Sequence, residues 1–233
     1  MNSYSEPSST RIIENAKVFG ASLAGTVGVV SIKKSPSHRV GRKHWLPVGA
    51  KSAIVLALAH EISEPELDWW DNREGGTPGN RRLISTANSL SQWLEETFNI
   101  HCQPLPYHIE KGGIFLKDAA ALAGLGTMGK NNLLITPQFG PRVRLRALLV
   151  DVELEPTGPI DFSPCEGCDM PCRSICPQDA FASGSYARAL CSEQMKKDEA
   201  KNIIFEKSAN DHAPGARVRY CRVCELSCPV GKQ

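Results

Sequence analysis

The stretch CEGCDMPCRSICP, residues 165–177, decides how this chain is read. Its thiols stand as Cys165-x2-Cys168-x3-Cys172-x3-Cys176-Pro177. A second group, CRVCELSCP at 221–229, repeats the theme as Cys221-x2-Cys224-x3-Cys228-Pro229. Cys191 lies alone between them, and of the nine cysteines only Cys102 falls elsewhere. In a reducing cytosol, clustered cysteines point to metal before disulfides. Eight thiolates divide into two fours, the count for two [4Fe–4S] centres. A tight loop lets thiolates converge on one cubane while backbone N–H groups face its sulfides, and the proline turns the chain away. Two-cluster ferredoxins send the last cysteine of a run to the other cluster. On that crossed logic Cys165, Cys168, Cys172 and Cys228 hold one cluster, and Cys176, Cys191, Cys221 and Cys224 hold the second. Cys-x2-Cys pairs also make structural zinc sites; the two Cys-Pro endings and the lone Cys191 favour iron–sulfur. One departure is visible: Asp169-Met170-Pro171 puts three residues where the usual run has two, which loosens the loop around Cys172.

Working outward, residues 159–233 are short of long apolar runs, so they cannot bury a conventional core and need metal to fold. Residues 153–164 carry three prolines and mark a boundary. Residues 1–158 read as an α/β domain. A short amphipathic helix is expected over 10–19, with Thr10 as N-cap and Gly20 as stop. Buried strands are expected at 24–32 and 53–59. Between them runs a basic loop with Lys33, Lys34, His38, Arg39, Arg42, Lys43 and His44. Residues 61–80, with Trp69, Trp70 and Gly75-Gly76, read as a long loop. Leu83, Ile84, Ala87, Leu90, Leu94 and Phe98 fall on one helical face, which predicts a helix over 81–98. A second helix is expected at 115–123, strands at 131–136 and 143–152, and a turn at 137–141. The alternation Val143-Arg144-Leu145-Arg146 predicts one exposed face for the last strand.

Lys and Arg number 27 against 25 Asp and Glu, a net +2 among 233 residues. So balanced a chain has no global pull toward nucleic acid or acidic membranes. No apolar run approaches the roughly 20 residues of a membrane span, and the polar N-terminus is no export signal. The expectation is a cytoplasmic protein with neither membrane nor nucleic acid as partner.

Gly124-Leu125-Gly126-Thr127-Met128-Gly129 fits G-x-G-x-x-G, with Asp151 beyond it. A dinucleotide site needs that motif after a strand and opening a helix. Here a helix-like run precedes it and a strand-like run follows. The glycines permit close backbone approach and positive φ. That suits either a turn against a flat ligand or a plain helix-to-strand turn.

AGLGTMGKNNLLITPQFGPRVRLRALLVDVELEP (123–156), followed by the two cysteine groups, resembles the epoxyqueuosine reductase and reductive dehalogenase superfamily of corrinoid and iron–sulfur reductases. The resemblance runs from about Leu116 to Pro229, with weaker continuation in LPVGAKSAIVLALAH (46–60). It implies a nitroreductase-like domain holding cobalamin, followed by a small ferredoxin-like domain with two [4Fe–4S] clusters that feed it electrons. The glycine loop (Gly124, Leu125, Gly126, Met128, Gly129) with Lys130 and Asn131 would line the corrin. FMN is the alternative ring, since that fold also accommodates a flavin. The family's Asp in a D-[ST]-x-P segment is replaced by Glu110 in YHIEKGG (107–113), so Glu110 becomes the candidate acid if burial raises its pKa. Tyr107 resembles in type the tyrosine donor of the dehalogenases. The family's Asp-Tyr-His segment is missing, and PGNRRL (78–83) stands there.

The resulting expectation is a reductase that cleaves a carbon–oxygen or carbon–halogen bond in a small molecule, with reduced ferredoxin or flavodoxin as donor. The rival is an electron-transfer or corrinoid-handling protein without substrate chemistry. A homodimer could form through the N-terminal sheet, although no interface signature is visible. Trp69 and Trp70 are lid candidates. The 33–43 loop is a candidate for the nucleotide phosphate of cobalamin. Cys102, after the long helix, reads as a structural thiol rather than a nucleophile.

Overall fold

Two strands rich in apolar residues organise the N-terminal part, Ser52–Ala59 and Val143–Val150. Both lie centrally in a four-stranded antiparallel sheet of order β1-β2-β6-β3, seen in a computed structural model that describes residues 7–41, 46–201, 203–204 and 216–231. In chain order the elements are α1 (Ser9–Val18), β1 (Leu23–Gly28), α2 (Val29–Lys33), α3 (Pro36–Val40), β2 (Ser52–Ala59), α4 (Pro78–Phe98), β3 (Cys102–Pro104), α5 (Leu116–Leu122), β4 (Thr127–Met128), β5 (Leu134–Ile135) and β6 (Val143–Val150). After β6 come α6 (Pro171–Ser174), α7 (Arg188–Ala200), β7 (Ile203–Ile204), β8 (Ala216–Arg217) and α8 (Val223–Leu226).

Helices cover both faces of the sheet. Ala53, Val55 and Ala57 of β2 join Val143, Leu145, Ala147 and Leu149 of β6 in a core closed by α2 and α5. Ile54 and Leu56 join Leu148 and Val150 in a second core closed by α1 and α4. A strand buried on both sides reads as a near-continuous apolar run, which is why β2 was visible in the sequence.

Several expectations change. The α1 N-cap is Ser8, not Thr10; its hydroxyl accepts the Arg11 N–H at 3.2 Å. The run 24–32 is not one strand. It turns helical after Gly28, because Val29 and Ile32, three apart, both reach the core. The basic stretch contains α3, and its Arg42, Lys43 and His44 lie outside the described residues. α4 starts at Pro78, capped by Thr77. The strand expected at 131–136 shrinks to β5, hairpinned to β4. The exposed face predicted for β6 is covered: Arg146 is buried and Arg144 is ion-paired. The edge strand β3 went unseen because it has three residues and ends in proline, tolerable only where no ladder N–H is needed. The C-terminal segment also holds the 13-residue α7, which buries none of its residues.

Candidate redox site

The eight C-terminal thiols gather in two neighbourhoods. Burial pushes the Cys172 thiol up, and the nearness of Cys228, Cys165 and Cys168 pushes it further. The Cys228 thiol is raised by burial, with Cys165 and Cys168 adding to it against the Val230 N–H and Arg142. Burial lifts the Cys224 thiol to about 12, helped by Cys221, Glu225, Cys191 and Cys176. Cys221 is raised by burial, with Asp198, Cys191 and Cys176 adding to it against the Val223 N–H. The structure thus brings Cys165, Cys168, Cys172 and Cys228 together, and separately Cys176, Cys191, Cys221 and Cys224. The raised thiols of Cys172, Cys221, Cys224 and Cys228 would give up protons more readily to a bound metal, so metal loading would release protons. Among the described residues no three His, Cys, Asp or Glu close on a point as the ligands of one ion do. Backbone donors already face sulfur: Met170 N–H on Cys168, Ala180 N–H on Cys176 and Lys130 N–H on Cys165, each at 3.4 Å.

The glycine turn follows α5 and opens the β4–β5 hairpin, an order opposite to a dinucleotide loop. Its glycines are used by the protein itself. A Cβ on Gly126 would stand 2.1 Å from the Ile135 carbonyl oxygen, one on Gly124 2.7 Å from the Thr157 carbonyl oxygen, and one on Gly129 2.3 Å from the Ile135 side chain. Leu125 is buried in the sheet core, and Asn131 is buried against the second cysteine group. Of the expected ring-lining residues, only Met128 and Lys130 are exposed. The glycine Cα faces therefore do not fit a ring lying on them.

The candidate acids stand apart from any enclosed site. The Glu110 side chain is 75% exposed, 3.5 Å from His108 Nδ1. Tyr107 is 57% exposed, its ring 5.9 Å from the buried Arg146 guanidinium. The burial on which an acid role for Glu110 depends is not found. Trp69 stacks on the Arg219 guanidinium at 4.0 Å, and Trp70 pairs its backbone with Val218. Both pack on the segment leading to Cys221. Cys102 is buried in β3, its S–H donating to the Ile100 carbonyl at 3.5 Å.

One constellation had no sequence signal beyond two arginines on a strand. Asp68 accepts from Arg144 at 2.8 Å, from Arg222, and from His60 Nδ1 at 2.6 Å. Glu225 binds Arg144 at 3.0 Å and Arg222. Burial lowers the pKa of His60, more than Asp68 raises it. Its neutral ring therefore keeps Nδ1–H toward Asp68. The network clamps α8 and the Cys221 loop onto the sheet. Arg142 adds bonds to the Cys228 and Val230 carbonyls.

No family model matches the chain. An epoxyqueuosine reductase of Bacillus cereus is 29% identical over 204 residues, covering 79% of this chain and 49% of that one. That of Gloeobacter violaceus is 28% identical over 93% of this chain and 67% of its own length. A tetrachloroethene reductive dehalogenase of Sulfurospirillum multivorans is 32% identical over 117 residues, 23% of its length. The chain spans about half the length of several of these curated relatives. Among solved structures, the epoxyqueuosine reductase of Streptococcus thermophilus superposes with a TM-score of 0.63 at 22% identity, over 96% of this chain and 66% of that one. Another epoxyqueuosine reductase, solved with an epoxyqueuosine-modified tRNA-Tyr stem loop, gives 0.64 at 19% identity, over 95% of this chain and 64% of that one. That complex does not fit the expectation that nucleic acid is no partner. Net charge sums over a whole surface and is silent about any one face. No helix among the described residues is long and apolar enough to cross a membrane. The likeness in fold covers a mixed α/β architecture with antiparallel sheets, and the similarity in sequence to epoxyqueuosine reductases, and over shorter stretches to reductive dehalogenases, supports a place in their superfamily.

Proposed function

We propose that this chain is an iron–sulfur reductase in which two [4Fe–4S] clusters pass electrons, one at a time, to an acceptor beside the 124–135 turn. Its first 158 residues form a nitroreductase-like domain and residues 159–233 a ferredoxin-like one. Cys165, Cys168, Cys172 and Cys228 hold one cluster, and Cys176, Cys191, Cys221 and Cys224 the other. The observation that carries this reading is the crossed gathering of the thiols, with Cys228 among the first group's cysteines and Cys176 among the second's. The donor is a small low-potential carrier such as reduced ferredoxin or flavodoxin. The substrate carries a reducible carbon–oxygen or carbon–halogen bond, in a small molecule or in a modified nucleoside of the kind bound by the tRNA-complexed relative.

The family implies cobalamin as the acceptor, with FMN as the alternative. Neither is seated on the glycine faces, and the turn's exposed edge offers Met128 and Lys130 instead. The exposure of Glu110 and Tyr107 favours the second reading, an electron-transfer or corrinoid-handling protein without bond cleavage of its own.

Anaerobic reconstitution with iron and sulfide tests the proposal. Two cubanes per chain are expected by electron paramagnetic resonance, and zinc alone in the thiol sites would refute it. Absorption spectra with added cobalamin or FMN then identify the ring, by corrin or isoalloxazine bands. Glu110→Gln separates the two readings. A reductase using this acid loses most of its turnover while reduction of the acceptor survives; an electron carrier is unaffected in both.

A further inference from the structure

Resting on the two-cluster reading above, we propose that Asn131 is a positioning residue that sets the reduction potential of the first cluster while its side chain bonds across to the loop of the second. The residue is 2% exposed. Nδ2 donates to the Cys224 carbonyl at 3.3 Å, and Oδ1 accepts the Leu133 N–H at 3.2 Å. The neighbouring Lys130 N–H reaches Cys165 Sγ at 3.4 Å. The turn between them is held from within: Gly129 N–H donates to the Leu133 carbonyl at 2.8 Å, and Asn132 N–H to the Gly129 carbonyl at 3.0 Å. From outside, Lys117 Nζ holds the Asn132 carbonyl at 2.6 Å, with Asn132 itself at φ 60°. One short turn therefore ends on two loops that carry ligands of different clusters.

The physical consequence is directional. An N–H donated to a ligand sulfur stabilises the more negative, reduced state, so the Lys130 amide holds the first cluster's potential up. That amide is aimed only while the turn keeps its shape. Beside the Lys117 hold on Asn132, Asn131 ties the turn to a carbonyl belonging to the second set. Loss of the Asn131 side chain frees the turn and withdraws the N–H from Cys165, although nothing at Cys165 has changed.

The test is a potentiometric titration of the reconstituted chain, followed by electron paramagnetic resonance. Asn131→Ala should lower the midpoint of the cluster held by Cys165 and leave the other in place. Asn131→Ser, whose hydroxyl can still accept the Leu133 N–H, should recover part of the shift. An unshifted first cluster, or equal shifts in both, would overturn the inference. A measurement on the unaltered protein stands beside it, in case the variants fail to assemble. With 15N-lysine incorporated, pulsed spectra of one reduced cluster should show hyperfine coupling to a lysine amide nitrogen, and its absence from both clusters would equally refute the idea. Failure of the unaltered chain to assemble two clusters would bring down the function reading and this inference with it. Assembly of both clusters without the shift or the coupling would bring down this inference alone.

Discussion

Gly126 shows what a single residue can settle. Its Cα faces the carbonyl of Ile135, a backbone atom that cannot step aside as a side-chain tip would. Gly126→Ala is expected to cost roughly 1–3 kcal/mol by overpacking, read from the denaturation midpoint. Gly28→Ala, with nothing within 4 Å of the new methyl, should stay within about 0.5 kcal/mol. Equal costs at both positions would contradict the assignment. The spacing of the three turn glycines was legible, but their purpose was not. The same pattern serves a phosphate loop, a ligand seat or a tight turn, and only the atoms facing each Cα distinguish these. Cys102 is the opposite case. Its place after a long helix already suggested an inert thiol, and burial first, then Glu95, raises its pKa to about 12. Only ~1 in 10,000 molecules then carries the thiolate at pH 8. Iodoacetamide should leave Cys102 unmodified in the folded protein; mass spectrometry showing rapid labelling there would count against this.

Among elements, β6 and α7 depart most from what their sequences suggest. The Val143-Arg144-Leu145-Arg146 alternation looks like a half-solvated strand. Yet Arg146 is buried, donating to Asn80 Oδ1 at 2.9 Å and to the Leu105 carbonyl at 3.0 Å, while Arg144 meets Asp68 and Glu225. Period-2 patterning separates polar from apolar faces; it does not tell a solvated polar face from one covered by carboxylates and carbonyls. α7 has no apolar stripe and no buried residue, so periodicity could not reveal it. Its attachments are polar: Asp198 accepts the Cys221 N–H at 2.8 Å, and Glu199 accepts from the Tyr220 hydroxyl at 2.9 Å. A helix of this length is marginal in isolation. On the proposed two-cluster reading, removing iron, and with it the proposed hold on Cys191, should melt α7. Hydrogen exchange is the measurement: residues 188–200 should lose protection in the iron-free protein while α4 keeps its own. Persistent protection of α7 without iron would contradict its dependence on the cluster.

At the scale of the molecule, two segments far apart in sequence are locked by charges. Asp68 and Glu225 each bind both Arg144 and Arg222, and all but Arg144 are largely buried. Removing one carboxylate strands buried guanidinium charge. Asp68→Asn should therefore destabilise the fold by roughly 3–5 kcal/mol, measured by thermal or denaturant unfolding. An exposed pair such as Arg82–Glu64, at 3.9 Å, should contribute well under about 1 kcal/mol. Near-neutral behaviour of Asp68→Asn would remove the clamp from the account. The strand β2 and the long helix α4 were readable from the sequence, and the division of the cysteines is a proposal that rests on their spacing. Apolar periodicity and ligand spacing are local properties, set by how a strand, a helix or a loop must present its side chains. The clamp, the cover over β6 and the fate of the glycine turn were decided only by tertiary structure. Each depends on which atoms from a distant segment arrive at a given face, and a linear pattern of residue types carries no record of that arrival.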